Sequence, residues 1–315
     1  MEQNTKFSAV AALWKADKKR YVKKSTYATY SILIKSHLLP ELGEKEDIRE
    51  EDVQELVNRK LAAGLSRKTV KDILVILKMI LRYGTKHGLL PGRQIDVIFP
   101  TERENKEVEV LTLANQRKLM GYVKENLNYL NLGILICLAA GLRIGEVCAL
   151  QWDDIDVASG VIRVNKTIQR IYLVDGNEKF TGIIIDKPKT RNSFREVPMT
   201  RDLLGMVRQL KKRVCGDFYV LTNSHTPTEP RTYRYYFNKI LHRLGLPEMR
   251  FHGLRHSFAT RCIESKCDYK TVSVLLGHAN ISTTLNLYVH PNLEQKRKCI
   301  NTMGKLLSVL RSDKY

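Results

Sequence analysis

No stretch of this chain is long and apolar enough to read as a membrane span. The longest apolar run, Leu130 to Leu142, is thirteen residues with one asparagine, short of the ~18–20 that a bilayer demands. The opening Met-Glu-Gln-Asn-Thr-Lys lacks a basic segment leading into an apolar one, which argues against secretion and for a cytoplasmic protein with no membrane partner. Cysteine is sparse, and the six residues (137, 148, 215, 262, 267 and 299) include no Cys-x-x-Cys pair. A zinc site is therefore not expected, and the thiols read as reduced and mostly buried. No cluster of Asp and Glu resembles a two-metal site. Neither a metal nor a cofactor is expected, and without internal repeats or low-complexity tracts the chain is not an array.

Positive charge is abundant. Against 33 Asp and Glu stand 53 Lys and Arg, a net charge of +20 over 315 residues. Solubility does not need an excess of this size, and it matches a polyanion. Residues 1–100 carry +7, 101–200 only +1, 201–255 +7 and 256–315 +5. Cations therefore sit in both halves, as expected of a two-domain protein that clamps its ligand.

Residues 7–88 read as four helices. Phe7, Val10, Ala11, Leu13 and Trp14 recur at helical spacing, and a second helix runs from a cap at Ser25 to Leu39, before Pro40. A third carries Val53, Leu56, Val57 and Leu61 and stops at Gly64; Ser66 caps a fourth. The first helix runs into Lys15, Lys18, Lys19, Arg20, Lys23 and Lys24, a density that favours phosphate contact over a solvated face. Between 89 and 110 the apolar period is lost, which reads as a linker. Beyond it the pattern predicts helices at 112–126 and 129–140. Three strands follow, at 161–164, 182–185 and 195–198, and after Pro230 helices resume. The fold class is mainly α with a small antiparallel β-sheet.

Arg143 follows a helix-ending Gly141, with Glu146 three residues on; taken alone the two read as a surface ion pair. His252 and Arg255 share one face at the opening of a helix, Lys189 lies at a predicted hairpin tip, and Gly277-His278 ends one helix before another carries Tyr288. On the helix from Thr232, Tyr236, Phe237, Ile240 and Leu241 should face the core, leaving Arg231 and Arg234 for DNA.

In order, these residues closely resemble the tyrosine recombinase family of phage and mobile-element integrases. The resemblance is carried by Gly-Leu-Arg-Ile-Gly-Glu-Val (141–147), Lys-Pro-Lys-Thr (187–190), His-Gly-Leu-Arg-His-Ser-Phe-Ala-Thr (252–260), Leu-Leu-Gly-His (275–278) and Thr-Thr-Leu-Asn-Leu-Tyr-Val-His (283–290). It implies a helical, SAM-like core-binding domain over 1–88, a linker over 89–110, and an α+β catalytic domain over 111–315 whose tail, 293–315, docks on a neighbouring protomer. It implies further that Tyr288 attacks the scissile phosphate to form a 3′-phosphotyrosyl link, without metal or ATP. Arg143 and Arg255 would hold the non-bridging oxygens, and His252 would manage the tyrosine proton. His278 would bond the phosphate, Lys189 would protonate the leaving 5′ oxygen, and Glu146 would orient its neighbours. The partners implied are recombination sites in double-stranded DNA, further copies in a homotetramer, and an accessory directionality factor. Two departures stand out. With a first helix beginning near Phe7, an arm-binding domain is not expected, and residues 165–182 lengthen the first strand connection. The rival readings are a Xer-like resolvase, a type IB topoisomerase and a non-catalytic DNA-binding regulator.

Overall fold

The computed structural model describes residues 5–100, 109–175, 178–187, 191–212, 214–288 and 293–309. The chain divides into two compact units, residues 1–105 with 170–183, and residues 106–169 with 184–315.

The first unit is helical: α1 (Phe7–Lys18), α2 (Lys24–Leu33), α3 (Leu39–Leu42), α4 (Glu50–Ala62) and α5 (Arg67–Lys86). Its core is the apolar set at helical spacing, with Phe7, Val10, Trp14, Val53, Leu56, Ile73, Leu77 and Ile80 buried. Ser66 caps α5 by accepting the Thr69 N–H at 3.1 Å. The second helix differs from expectation at both ends. Ser25 lies inside it, buried, and the helical path does not stop before Pro40. A π-helical turn, Ile34–Leu38, lets the Leu39 N–H reach back to Ile34 O. Pro40 is the second residue of α3 and donates no N–H to the turn before it. Residues 89–99 are pinned to this unit: Leu90 and Ile95 are buried, and Arg93 makes a fork of two 2.6 Å bonds to Asp47.

The second unit is built around α7 (Tyr129–Ala140), which is apolar on every side and covered on nearly every side. α6 (Leu113–Glu125), α9 (Arg201–Lys211) and α11 (His252–Glu264) pack on it. The three-stranded antiparallel sheet differs from the predicted one. Its strands are β1 (Ile155–Asp156), β2 (Val161–Val164) and β5 (Arg195–Pro198), with β2 central. Residues 182–185 instead belong to β4 (Glu178–Asp186), which pairs with β3 (Thr167–Asp175) as a separate hairpin, most of which, residues 170–183, is grouped with the first unit. The lengthened connection is thus a hairpin of its own. Helix α9 falls outside the predicted set, although a Thr200 cap and the buried Leu203 and Val207 mark it. α8 (Ile144–Ala149), α10 (Pro230–Arg243), α12 (Tyr269–Leu276), α13 (Ser282–Tyr288) and α14 (Leu293–Val309) complete the unit. Among the described cysteines 137 and 148 are buried, but 215 and 267 are exposed in segments that follow helices.

α10 packs through Tyr233, whose hydroxyl donates to Leu130 O at 2.7 Å. Room for that ring exists because residue 133 has no side chain: a Cβ on Gly133 would stand 2.3 Å from the Tyr233 hydroxyl and 2.4 Å from Leu221 Cδ2. Gly133→Ala should therefore destabilise the protein by roughly 1–3 kcal/mol through overpacking, measurable as a lowered urea midpoint. An unchanged midpoint would show that the contact relaxes freely.

Candidate active site

Gly141 ends α7 in the left-handed region, at φ 65°, and Gly277 ends α12 at the same angle. A side chain at Gly141 would collide with Phe258, and one at Gly277 would meet Asn192 O at 2.8 Å. These two turns deliver the residues singled out in the sequence.

Arg143 stands immediately before α8, and Glu146 is the third residue of that helix. The carboxylate turns back to accept the Arg143 backbone N–H at 2.9 Å and its guanidinium at 2.7 Å. This is no surface ion pair. Glu146 is 4% exposed and meets a second guanidinium, that of Arg195, through Nη1 to Oε1 at 3.1 Å and Nη2 to Oε2 at 2.8 Å. The sequence marks Arg195 only as a strand residue; an arginine opening a strand carries no signal that it points inward.

Three guanidiniums close the C-terminal end of α12. Arg195 Nε donates to Leu275 O at 2.6 Å, Arg255 Nη2 to Leu276 O at 2.5 Å, and Arg143 Nη2 to Gly277 O at 3.3 Å. The last carbonyls of a helix lack internal partners and form the negative end of its dipole, so cations are favoured there. Arg255 also donates to Gly141 O at 2.8 Å and is 2% exposed. The turn thus held presents His278, whose Nδ1 lies 2.8 Å from Thr284 Oγ1 on α13. His252, the first residue of α11, stands edge-on to His256 with ring centroids 4.6 Å apart.

Arg143, Glu146, His252, Arg255 and His278 are accordingly one cluster. Tyr288 is the last residue of α13, a helix packed against α11 and α12. Lys189 lies outside the described residues. Arg231 and Arg234 are exposed on α10, whose Phe237, Ile240 and Leu241 are buried and Tyr236 half-buried, as the pattern predicts. Lys19, Arg20 and Lys24 are exposed, and Lys18 and Lys23 partly so, in the first unit. Among the described residues no group of three His, Cys, Asp or Glu is placed to hold a metal, and no helix is long and apolar enough to cross a membrane.

The electrostatics follow from this packing. Burial pushes the Glu146 carboxyl up, but Arg195 and Arg143 more than reverse it and hold the group below the usual carboxylate range. Burial, with repulsion from Arg255 and Arg143, lowers His278 to about 4. Surrounding protein, followed by His256, Arg255 and Arg143, lowers His252 to about 4 even though one side of the residue is open to solvent. Both rings are neutral near pH 7. An unfolded chain takes up these protons near 6.5 and the folded protein only near 4, so stability falls as the pH drops through that window. Urea unfolding at pH 7 and pH 5 should show this loss, and replacing both histidines with asparagine should shrink it. A loss of the same size in the variant would assign it to other groups.

The chain is 33% identical to a XerC-like tyrosine recombinase of Caldanaerobacter subterraneus subsp. tengcongensis over 283 residues, 82% of this chain and 71% of that one. It is 24% identical over 275 residues to the ICEBs1 integrase of Bacillus subtilis, covering 81% and 73%. Among solved structures, the Tn1549 transposon integrase in complex with transposon right end DNA shares the fold, with a TM-score of 0.76 at 22% identity over 95% of this chain and 100% of that one. A lambda integrase tetramer bound to a Holliday junction does so with a TM-score of 0.66 at 18% identity, covering 91% and 78%. Residues 6–61 match the phage integrase N-terminal SAM-like domain. Residues 109–295, which hold the whole arginine–histidine cluster, match the phage integrase family, and the chain belongs to that family, the tyrosine recombinases, which are DNA strand-transferring enzymes.

Proposed function

We propose that this protein is the integrase and excisionase-type recombinase of a mobile element, cutting and rejoining DNA at specific sites through a 3′-phosphotyrosine intermediate. The observation that carries the reading is the convergence of Arg143, His252, Arg255 and His278 on one spot beside the helix that ends in Tyr288. Similarity to the ICEBs1 integrase and the Tn1549 transposon integrase supports it. A Xer-like resolvase is the second reading, favoured by the 33% identical XerC-like relative; sequencing the DNA junctions that flank the gene separates the two.

In this reading Tyr288 is the nucleophile. A free tyrosine has a pKa near 10, so at pH 7 about one in a thousand is ionised, a deficit of ~4 kcal/mol. A neutral His252 can take the proton, and Arg143 and Arg255 favour the charged oxygen. The same guanidiniums would stabilise charge on the equatorial oxygens by hydrogen bonds that a lysine cannot copy. His278 would bond the phosphate and Lys189 would protonate the leaving 5′ oxygen. DNA contact is assigned to Lys18, Lys19, Arg20, Lys23 and Lys24 in a core-binding domain, residues 1–88, and to Arg231 and Arg234 in a catalytic domain, residues 111–315. Four protomers would assemble on two sites, with a directionality factor as a further partner. On α14, Ile300 and Met303 lie exposed, which supports a tail, 293–315, that is buried only against a neighbouring protomer.

A nicked suicide duplex carrying the element's own site should trap a covalent adduct on a denaturing gel, lost in Tyr288→Phe, while that variant still binds DNA. Binding should weaken with salt by a log-log slope of roughly −0.9 per phosphate contact. A wild-type protein that binds its site but forms no adduct would sink the enzyme reading in favour of a regulator. Deleting 293–315 should leave binding nearly intact and impair strand exchange; recombination at the wild-type rate would remove the tail from the assembly.

A further inference from the structure

Arg195 opens β5, yet its side chain is turned inward and is 3% exposed. Its donors reach three separate places: the Glu146 carboxylate, Leu275 O at the end of α12, and Ser193 O at 3.3 Å. The α12 turn is packed directly against it, because a Cβ on Gly277 would stand 3.2 Å from both Arg195 Cδ and Nη1. The neighbouring Asn192 donates to His278 O at 3.3 Å. Asn192 and Arg195 therefore grip the turn that carries His278.

Counting charges shows what this grip does beyond architecture. Glu146 and Arg143 alone would cancel, and a cancelled guanidinium is a poor ligand for a phosphate. With Arg195 the three groups sum to one positive charge. Each carboxylate oxygen accepts one bond from Arg143 and one from Arg195, so the carboxylate is clamped from both sides.

We propose that Arg195 is a positioning residue for strand transfer: it neutralises Glu146, so that Arg143 keeps its charge for the scissile phosphate, and it fixes the turn bearing His278. This rests on the reading of the cluster as a phosphodiester site.

The test compares single-turnover adduct formation on the suicide duplex by wild type, Arg195→Met, Glu146→Gln and the double variant, with Tyr288→Phe as the blank. Arg195→Met should lower the cleavage rate about 100-fold, the scale of a misplaced reacting group, with duplex affinity nearly unchanged. The double variant should cleave several-fold faster than Arg195→Met, because it restores one net positive charge although it has fewer hydrogen bonds. A purely structural role makes the opposite prediction, with the double variant no faster than the worse single one. That result, or a wild-type rate in Arg195→Met, overturns the proposal. Should Arg195→Met fail to fold, Arg195→Lys and Arg195→Gln take its place. The lysine keeps the charge and loses the fork, so it should cleave several-fold faster than the glutamine; equal rates overturn the proposal. NMR titration of His278 in the same proteins needs no DNA chemistry. Loss of the Arg195 cation should raise the His278 midpoint, and an unmoved midpoint counts against the proposal. If wild type forms no adduct, the functional reading fails, and the titration still decides whether Arg195 sets the charge of the cluster.

Discussion

Guanidiniums gathered at one place repel one another, and an ionised carboxylate removed from water costs several kcal/mol unless charge and hydrogen bonds replace its hydration. In this protein each problem answers the other. Glu146 is buried between Arg143 and Arg195, and the carbonyls at the end of α12 take a bond from Arg195, Arg255 and Arg143 in succession. A helix end contributes roughly half a negative charge. The arginines are thus held by a carboxylate and a dipole, and the position of His278 depends on that hold.

The frame follows from it. The ends of α7 and α12 must approach closely enough for Arg255 to bridge Gly141 O and Leu276 O. Two left-handed glycines make this possible, because each turn passes where a side chain would strike Phe258 or the backbone at Asn192. Since α7 is buried along most of its length, the Gly141 turn is anchored in the hydrophobic interior. Rigid placement of Arg143 therefore begins with the apolar run that, in the sequence, reads only as a helix too short to span a membrane.

Much of the fold is legible in the sequence, for identifiable reasons. Apolar residues at helical spacing locate α1, α4 and α5 because the core selects that period. Glycines at 141 and 277 mark real helix ends, and the order of Arg143, His252, Arg255 and His278 locates the cluster. Pairing between strands is not legible: Ile162 and Ile183 sit in similar β-branched runs, yet one joins the three-stranded sheet and the other a hairpin. Arg195 escapes notice for a related reason. Whether an arginine at a strand's first position faces water or a carboxylate depends on what the fold brings to it, here Glu146 from 49 residues away.

The histidines show how the same arrangement sets reactivity. Burial alone disfavours a charged imidazole; the guanidiniums of Arg255 and Arg143 disfavour it further, and His278 is held at about 4. Its ring beside Thr284 is therefore uncharged near pH 7, and the positive charge of the cluster resides on groups that never lose their protons. A cluster whose cations are all guanidiniums keeps its positive charge constant across physiological pH. Lysines in place of Arg143 and Arg255 could supply the charge, but a lysine's donors radiate from one atom. The Arg255 guanidinium instead presents separate nitrogens in one plane, Nη1 to Gly141 O and Nη2 to Leu276 O, and so sets the spacing of the two helix ends as well as the charge between them.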